Sequence, residues 1–369
     1  MGMFGFEDDL GPKRVIHVHE PKLGLAGILV VDNVAAGPSI GGLRMAEDVT
    51  VEECFRLARA MTLKNAAAGL PHGGGKSVLR ADPKMAREKK EPLIRAFACA
   101  LGDVEDYIFG PDMGTDELCM AWVKDEIGRS VGLPREVGGI PLDELGATGF
   151  GLVHAIEAAM PNLGFELSGA RVAVQGFGAV GAHAARILSE RGAILVAASD
   201  SHGSILNHQG LDVDALIEAK QSGAPVSKFN GGTPAKKEAV IEAECDIWIP
   251  SARPDVITMD NVETLKAKLV AQGANIPITN AAEIRLHEKE ILVLPDFIAN
   301  AGGVICAAME YRGMGEKAAF DVIAEKIQRN VEELLARSNN NGVTPRQAAF
   351  EMAKERVTNA MNTRRWSIY

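Results

Sequence analysis

The chain has 369 residues, 47% of them hydrophobic and 24% charged, with a formal net charge of −10. This is ordinary globular composition at a length that suits two domains, each able to bury its own core. The acidic balance argues against a broad basic face for nucleic acid, no apolar run approaches the ~20 residues of a membrane span, and the five cysteines form no C-x-x-C and read as reduced thiols of a cytoplasmic protein.

Met1 to Asp9 is acidic and lacks the apolar stretch of a signal peptide. Residues 13–31 predict a strand pair, Val15-Ile16-His17-Val18 and Ile28 to Val31, with Pro21 and Gly24 as turn signals between them. Residues 50–68 predict a helix opened by Thr50, with Glu53 completing a capping box. Residues 83–101 predict a second helix starting at Pro83, whose mixed charges from Lys84 to Glu91 read as a solvated face.

From residue 146 the pattern alternates strand and helix, which argues for a parallel sheet covered on both faces. The predicted strands are 171–175, 194–198, 245–249, 269–271 and 291–294, with a helix over 178–191. A long helical region follows Gly303 to about Ser338. A last helix starts at Thr344-Pro345-Arg346-Gln347, with Thr344 as N-cap, Pro345 at the first helical position and Gln347 completing a capping box.

Two motifs carry chemistry. Gln175-Gly176-Phe177-Gly178-Ala179-Val180-Gly181 follows a strand and opens a helix, the context a dinucleotide site needs. Gly176 allows the tight turn, Gly178 lets a pyrophosphate approach the helix N-terminus, and Gly181 lets helix and strand pack closely. Asp200 ends the next strand, about 20 residues beyond Gly181, where a carboxylate binds ribose hydroxyls of NAD and repels the extra phosphate of NADP. Ser201 and His202 beside it leave NADP open.

The second motif is Met61 to Ser77, with Lys64 late on a helix and Lys76 after three glycines. Its Gly75-Lys76-Ser77 mimics the end of a P-loop, but a P-loop needs glycine where Leu70 stands. Glycines let substrate and backbone come close. Two lysines converging on one apolar pocket lower each other's pKa, and desolvation adds to the effect, so one can act as a base while the other holds a carboxylate. The loop Phe109 to Asp116, shaped by Gly110, Pro111 and Gly114, presents Asp112 as a proton partner for the lysines or as a turn residue.

With these segments in place the chain resembles the glutamate/leucine/phenylalanine/valine dehydrogenase superfamily over nearly its whole length. The matching motifs are G-P-S-I-G-G-L-R-M (37–45), M-T-L-K-N-A-A-A-G-L-P-H-G-G-G-K (61–76), G-P-D-M-G-T (110–115), A-T-G-F-G (147–151), G-F-G-A-V-G (176–181), A-Q-G-A-N-I-P (271–277) and P-D-F-I-A-N-A-G-G-V (295–304). The resemblance implies an α/β fold of two domains. An N-terminal α/β substrate and oligomerisation domain would span 1–146 and a Rossmann-type dinucleotide-binding domain 147–330, with C-terminal helices, 331–369, returning to the first domain. It implies NAD(P)-dependent deamination of an L-amino acid to the 2-oxo acid and ammonia, in a cytoplasmic homo-oligomer. No metal, nucleic acid or membrane is involved.

The roles it implies are specific. Lys64 would bind the substrate α-carboxylate. Lys76 would activate water against the imine, and Asp112 would move protons to and from ammonia. Hydride would pass from the substrate Cα to the nicotinamide across the cleft between domains. Gly41, Gly42 and Gly110 would border the substrate, with Ile40, Val304 and Ala307 at its side chain and Met113 and Cys306 lining or backing the pocket. Thr148 and Ser201 would join the glycine loop at the cofactor, and Asn275 and Asn300 would face the nicotinamide and the substrate.

Departures from the family pattern bear on the substrate. In glutamate-specific members the positions of Ile40 and Ala307 carry a lysine and a serine that hold the side-chain carboxylate. A glutamate γ-carboxylate buried against Ile40 and Ala307 alone would lack a donor, at a cost of several kcal/mol, roughly 2–7 for an unpaired polar group. The expected substrate is therefore apolar, of leucine, valine or phenylalanine type. The alternatives are a glutamate dehydrogenase with a rearranged side-chain site, a Rossmann dehydrogenase acting on a hydroxy acid or amine, and a non-enzymatic NAD-binding protein. His72 stands where relatives are apolar; it is a structural histidine, or else one that contacts substrate or tunes Lys76.

Overall fold

A computed structural model describes residues 5–364, so the start of the acidic Met1 to Asp9 stretch lies outside the described residues. The elements run β1 (Arg14–Glu20), β2 (Leu25–Asn33), β3 (Ser39–Ala46), α1 (Val51–Ala67), β4 (Gly73–Arg80), α2 (Arg87–Ala100), β5 (Tyr107–Pro111) and α3 (Glu117–Ile127). They continue as α4 (Ala147–Ala159), β6 (Arg171–Gln175), α5 (Ala179–Glu190), β7 (Ile194–Asp200), β8 (Gly203–Leu206), α6 (Val213–Gln221), β9 (Thr233–Ala235), β10 (Ile247–Pro250) and β11 (Leu269–Ala271). The chain closes with α7 (Asn280–Glu288), β12 (Leu292–Leu294), α8 (Asp296–Ala299), α9 (Gly302–Tyr311), α10 (Glu316–Asn341) and α11 (Pro345–Thr363). Two compact units result. The first holds the chain up to Leu142, Val304–Ala319 and the chain from Phe350; the second holds Asp143–Gly303 and Phe320–Ala349. C-terminal helical segments thus pack with the N-terminal strands, as expected of this two-domain α/β class.

The first unit is built on a five-stranded mixed sheet, ordered β1-β2-β4-β3-β5. β1 and β2 form the expected hairpin, with Gly24 N–H donating to the Pro21 carbonyl in the turn. β4 runs antiparallel to β2 and parallel to β3, and β3 is parallel to β5. The core lies between this sheet and helices α2 and α3, around Leu29, Leu43, Leu79, Phe97, Phe109 and Val123. α1 lies against β4 with Thr50 capping it, its hydroxyl accepting from Glu53 N–H at 3.1 Å. The helix expected from Pro83 begins four residues later. Asp82 first closes a turn, its carboxylate accepting from Lys84 N–H and its carbonyl from Met85 N–H, and Met85 packs on the core.

The glycine run before Lys76 is a buried strand. A Cβ on Gly74 would sit 2.0 Å from the backbone nitrogen of Thr62 in α1, and one on Gly73 1.7 Å from the carbonyl oxygen of Asn33. These glycines let α1 and the neighbouring strand close directly onto β4. The close approach is the protein's own, which periodicity did not reveal because a glycine strand has no alternating side chains to read.

The second unit carries a seven-stranded sheet, ordered β12-β11-β10-β6-β7-β8-β9. The first five are parallel, as the alternating pattern predicts. β8 and β9 extend the sheet antiparallel. A tight hairpin after Asp200, with Gly203 at φ +153, turns the chain back where the pattern showed only loop residues. Glycines let helices pack closely at α4: a Cβ on Gly151 of α4 would meet Ile327 of α10 at 2.5 Å, and one on Gly302, the first residue of α9, would meet the Ala147 carbonyl of α4 at 2.1 Å. The Thr344 cap forms, its hydroxyl accepting from Gln347 N–H at 3.2 Å.

Candidate active site

Lys76 sits mid-strand in β4, opposite Val30, and is 5% exposed. Its Nζ lies 2.9 Å from Asp112 Oδ2. Asp112 follows the last residue of β5. Its N–H donates to the Thr115 hydroxyl at 3.0 Å, and that hydroxyl donates to the Leu43 carbonyl at 2.7 Å, so the loop is tied back to β3. Gly42, in β3 between them, has no room for a side chain: a Cβ there would be 2.7 Å from Asp112 Cβ and 3.0 Å from Lys76 Nζ. Gly41 beside it would place a Cβ 1.7 Å from the Gly75 carbonyl. Parallel β3, β4 and β5 therefore deliver a lysine and a carboxylate to one point because glycines remove what would separate them.

Arg44 completes the cluster. Its Nε donates to Asp112 Oδ2 at 2.8 Å, the same oxygen that Lys76 meets, and its Nη1 donates to Glu53 Oε1 at 2.6 Å. Arg44 lies in the 37–45 segment and Glu53 in the α1 capping box; sequence spacing brings neither to Asp112, and only the fold does. Burial pushes the Lys76 ammonium below the usual lysine range; Asp112 pulls it back up, and Arg44 adds a further downward push. Burial alone would raise Asp112, but Lys76 and Arg44 outweigh it and hold the carboxyl below the usual carboxylate range. The cluster thus combines a lysine inclined to lose its proton with a carboxylate that stays ionised.

Lys64 lies in the last turn of α1, half-buried. Ile40, in β3 opposite Gly74 and Ile108, is buried at 4% exposure. Gly110 pairs with Gly42 across β3 and β5. Val304, half-buried, and the buried Cys306 and Ala307 lie on α9, while Met113 is 58% exposed. His72 is buried against Tyr311, ring edge to ring at 6.0 Å, with Nδ1 3.1 Å from the Pro38 carbonyl. Burial lowers its pKa, and the charge of Arg312 lowers it further. Its surroundings are those of a neutral, packed imidazole.

In the second unit, Gly176 has φ +94, and its N–H and that of Phe177 both donate to the Ser199 carbonyl, at 3.0 and 2.7 Å. Phe177 is buried beneath the turn. A Cβ on Gly181 would stand 2.2 Å from the Gly176 carbonyl, whereas one on Gly178 would meet nothing within 4 Å. Gly178 is the N-cap of the 12-residue α5, and Ala179 beside it is exposed, with Val180 half-buried. An open glycine at a helix N-terminus is where a pyrophosphate fits. Thr148 is half-buried in the first turn of α4. Asn300 is buried, and its side-chain amide donates to Asn275 Oδ1 at 2.9 Å, so these two meet. Asp200 is already engaged. Oδ2 accepts from Lys220 Nζ at 2.7 Å and Val226 N–H at 3.0 Å, and Oδ1 accepts from His202 N–H at 2.9 Å. Ser201 and His202 are exposed, hydroxyl to ring nitrogen at 3.1 Å. Lys220 has no local sequence signal; it reaches Asp200 from the end of α6.

Among the described residues no group of His, Cys, Asp and Glu is placed to hold a metal, and no helix is long and apolar enough to cross a membrane.

A buried lysine paired with a half-buried aspartate in one α/β unit, and an open glycine turn at a helix N-terminus in the other, fit a nucleotide-linked dehydrogenase class. Comparison with known proteins gives the family. Residues 12–129 match the Glu/Leu/Phe/Val dehydrogenase, dimerisation domain, and residues 138–365 match Glutamate/Leucine/Phenylalanine/Valine dehydrogenase; the chain belongs to this family. It is an amino acid dehydrogenase, an oxidoreductase acting on CH–NH2 donors with NAD or NADP. A glutamate dehydrogenase of Aeropyrum pernix is 37% identical over 358 residues, covering 90% of this chain and 85% of that one. An NADP(+)-dependent glutamate dehydrogenase of Pyrobaculum calidifontis is 36% identical over 406 residues, covering 99% and 95%. Among solved structures, the hetero-hexameric glutamate dehydrogenase from Thermus thermophilus (Leu bound form) superposes with a TM-score of 0.83 at 29% identity, covering 95% of this chain and 89% of that one.

Proposed function

We propose that the protein catalyses reversible oxidative deamination of an L-amino acid, with glutamate as the first candidate substrate, Lys76 as the catalytic base and Asp112 as the proton carrier. The carrying observation is the pairing of buried Lys76 with Asp112 at 2.9 Å. Bound nicotinamide supplies the hydride acceptor, and Gly176, Gly178 and Gly181 with the α5 N-terminus suit its pyrophosphate. Lys64 binds the α-carboxylate. Lys76, its pKa lowered by burial, takes the proton from water as that water adds to the imine carbon. Asp112 carries that proton from Lys76 to the carbinolamine nitrogen; Lys76 then takes the hydroxyl proton as the carbonyl of the 2-oxo acid forms, the C–N bond breaks and ammonia leaves. With its Oδ2 shared by Lys76 and Arg44, the carboxylate is fixed in orientation for this work.

Glutamate is favoured by the two curated relatives, both glutamate dehydrogenases. Its side-chain carboxylate would then be met away from Ile40 and Ala307. A second reading, an apolar amino acid of leucine, valine or phenylalanine type, rests on those two buried apolar positions. A spectrophotometric screen of NADH and NADPH formation across the amino acids decides between them: fastest turnover of glutamate supports the first, of an aliphatic or aromatic amino acid the second. If the second reading holds, Ile40→Lys with Ala307→Ser should raise glutamate activity relative to apolar amino acids by about tenfold, the worth of one charged hydrogen bond; no gain places the side-chain pocket elsewhere.

NAD is the expected cofactor on the strength of Asp200. Its pairing with Lys220 weakens that expectation, because a neutralised carboxylate repels a phosphate less. We therefore include NADP, which the Pyrobaculum relative uses. The dimerisation domain and the hexameric neighbour support an oligomer, proposed here as a homo-oligomer. Five free cysteines suit a reducing cytoplasm.

A further inference from the structure

The second unit contains a buried ionic cluster that the chemistry above does not use. Arg346, the second residue of α11, directs its guanidinium at three acceptors on three segments. Nε donates to Glu283 Oε2 on α7 at 2.7 Å, and Nη2 donates to the Gln272 side-chain carbonyl at 3.2 Å. Nη1 lies 2.9 Å from Asp296 Oδ1 on α8. Both carboxylates are almost fully buried, with 4% and 8% of their side chains exposed. The Phe297 ring lies 5.8 Å from the guanidinium carbon.

The other oxygen of Asp296 points to a functional segment. Oδ2 accepts from the N–H of Ile276 at 2.8 Å. Ile276 has φ +44, a conformation a β-branched residue adopts only where its surroundings enforce it. It follows Asn275, whose Oδ1 accepts from Asn300. Gln272 begins this segment and is itself gripped by Arg346. The guanidinium thus holds the start of the 272–277 loop directly and its strained centre through one carboxylate.

We infer that Arg346 is a positioning residue for the 272–277 loop, setting Asn275 against the nicotinamide end of the dinucleotide through Asp296 and Gln272. The inference rests on the role that the family resemblance implies for Asn275, facing the nicotinamide. A buried ion pair is weak evidence of stabilisation for its own sake, since apolar residues of similar volume often replace one without loss. Here the Pro250 carbonyl already accepts from Gly273 and Ala274 N–H, and the Ile276 and Pro277 carbonyls accept from Asp255 and from Val256 and Ile257; the cluster adds the hold on the Gln272 side chain and on the Ile276 N–H, on either side of Asn275. Lysine cannot substitute: a single ammonium does not reproduce a planar fork spanning three segments.

The test compares binding of NADH and of ADP-ribose, which lacks nicotinamide, to the purified full-length protein by calorimetry. Arg346→Met and the milder Arg346→Lys are used, the second because it keeps a charge beside the carboxylates and folds where the first does not. The expected result is a rise of about tenfold in the Kd of NADH, the scale of one lost hydrogen bond. ADP-ribose, held at the glycine turn, should change by less than about twofold, as for a change remote from a binding site. Equal weakening of both ligands in a folded variant, or of neither, overturns the inference and leaves Arg346 a structural clamp. Asn275→Ala tests the underlying reading separately. If it leaves both NADH affinity and turnover unchanged, the loop does not serve the nicotinamide and the inference falls with that reading, whatever Arg346 does to stability.

Discussion

Two glycine-rich segments, Gly73-Gly74-Gly75 in β4 and Gly176 to Gly181 before α5, look alike in composition and do different work. Every glycine of the first run is occupied by the protein itself: a side chain on Gly74 would strike the backbone of α1, and one on Gly75 would crowd Ser39 and Tyr107 at 3.0 Å. In the second, Gly176 and Gly181 are likewise closed, but Gly178 faces open space at a helix end. One segment uses missing side chains to bring strands and helix together around Lys76; the other leaves a gap for something else. A glycine-rich motif thus reports close approach, and only the surrounding atoms show whose approach it is.

That contrast breaks most sharply at Lys76. Lys76→Ala should lower turnover by at least about a thousandfold, within the range of general acid–base contributions, while NADH binding to the other unit persists in a fluorescence titration. Loss of both together would remove the division of labour. Next come the glycines as a pair. Gly74→Ala should destabilise the protein by about 3 kcal/mol or more in denaturant unfolding, because the helix backbone cannot yield. Gly178→Ala should leave stability within about 0.5 kcal/mol yet weaken NADH, since a methyl group would intrude where a pyrophosphate sits. If Gly178→Ala unfolds the chain and spares binding, the two segments are not different in kind.

The smallest effect concerns proton balance. Arg44 depresses the pKa values of both Asp112 and Lys76. Both groups work deprotonated, so Arg44→Met, by removing that depression, should move the rising limb of the pH–rate profile to higher pH. Asp112 protonates sooner as pH falls, and Lys76 keeps its proton longer as pH rises, so both changes delay the active form. A profile that falls in height without moving would make Arg44 a scaffold residue only. The stability linkage of Asp112 has a definite sign as well. Its depressed folded pKa contributes stability that is present above the usual carboxylate range and is lost as pH falls through the folded value. Arg44→Met should shrink that contribution, visible as a smaller drop of Tm on acidification.

Local chemistry is enough to place the βα turn at Gly176, the hairpin of β1 and β2 and the Thr50 and Thr344 caps, because each depends on residues a few positions apart, and the strand–helix alternation is enough for the parallel strands of the second sheet, though not for their order or for antiparallel β8 and β9. The Gly73–Arg80 strand was illegible since glycines carry no period, and the start of α2 was displaced because the Asp82 turn outcompeted the proline signal. At the site, Lys76 and Asp112 stood out by type and setting, but Arg44, Glu53, Lys220 and Arg346 did not: each acts on a partner distant in sequence.

What the sequence determined by itself is the inventory: a lysine behind glycines, a carboxylate on a shaped loop, a dinucleotide turn, and apolar residues at Ile40 and Ala307. Only the tertiary structure decided which charges meet. Asp112 is held by Lys76 and Arg44 together, and Asp200 is already shared with Lys220. The physical reason is that a pKa or a specificity depends on the few ångströms around a charge, and in a folded chain those ångströms are filled by residues that sequence spacing does not bring together.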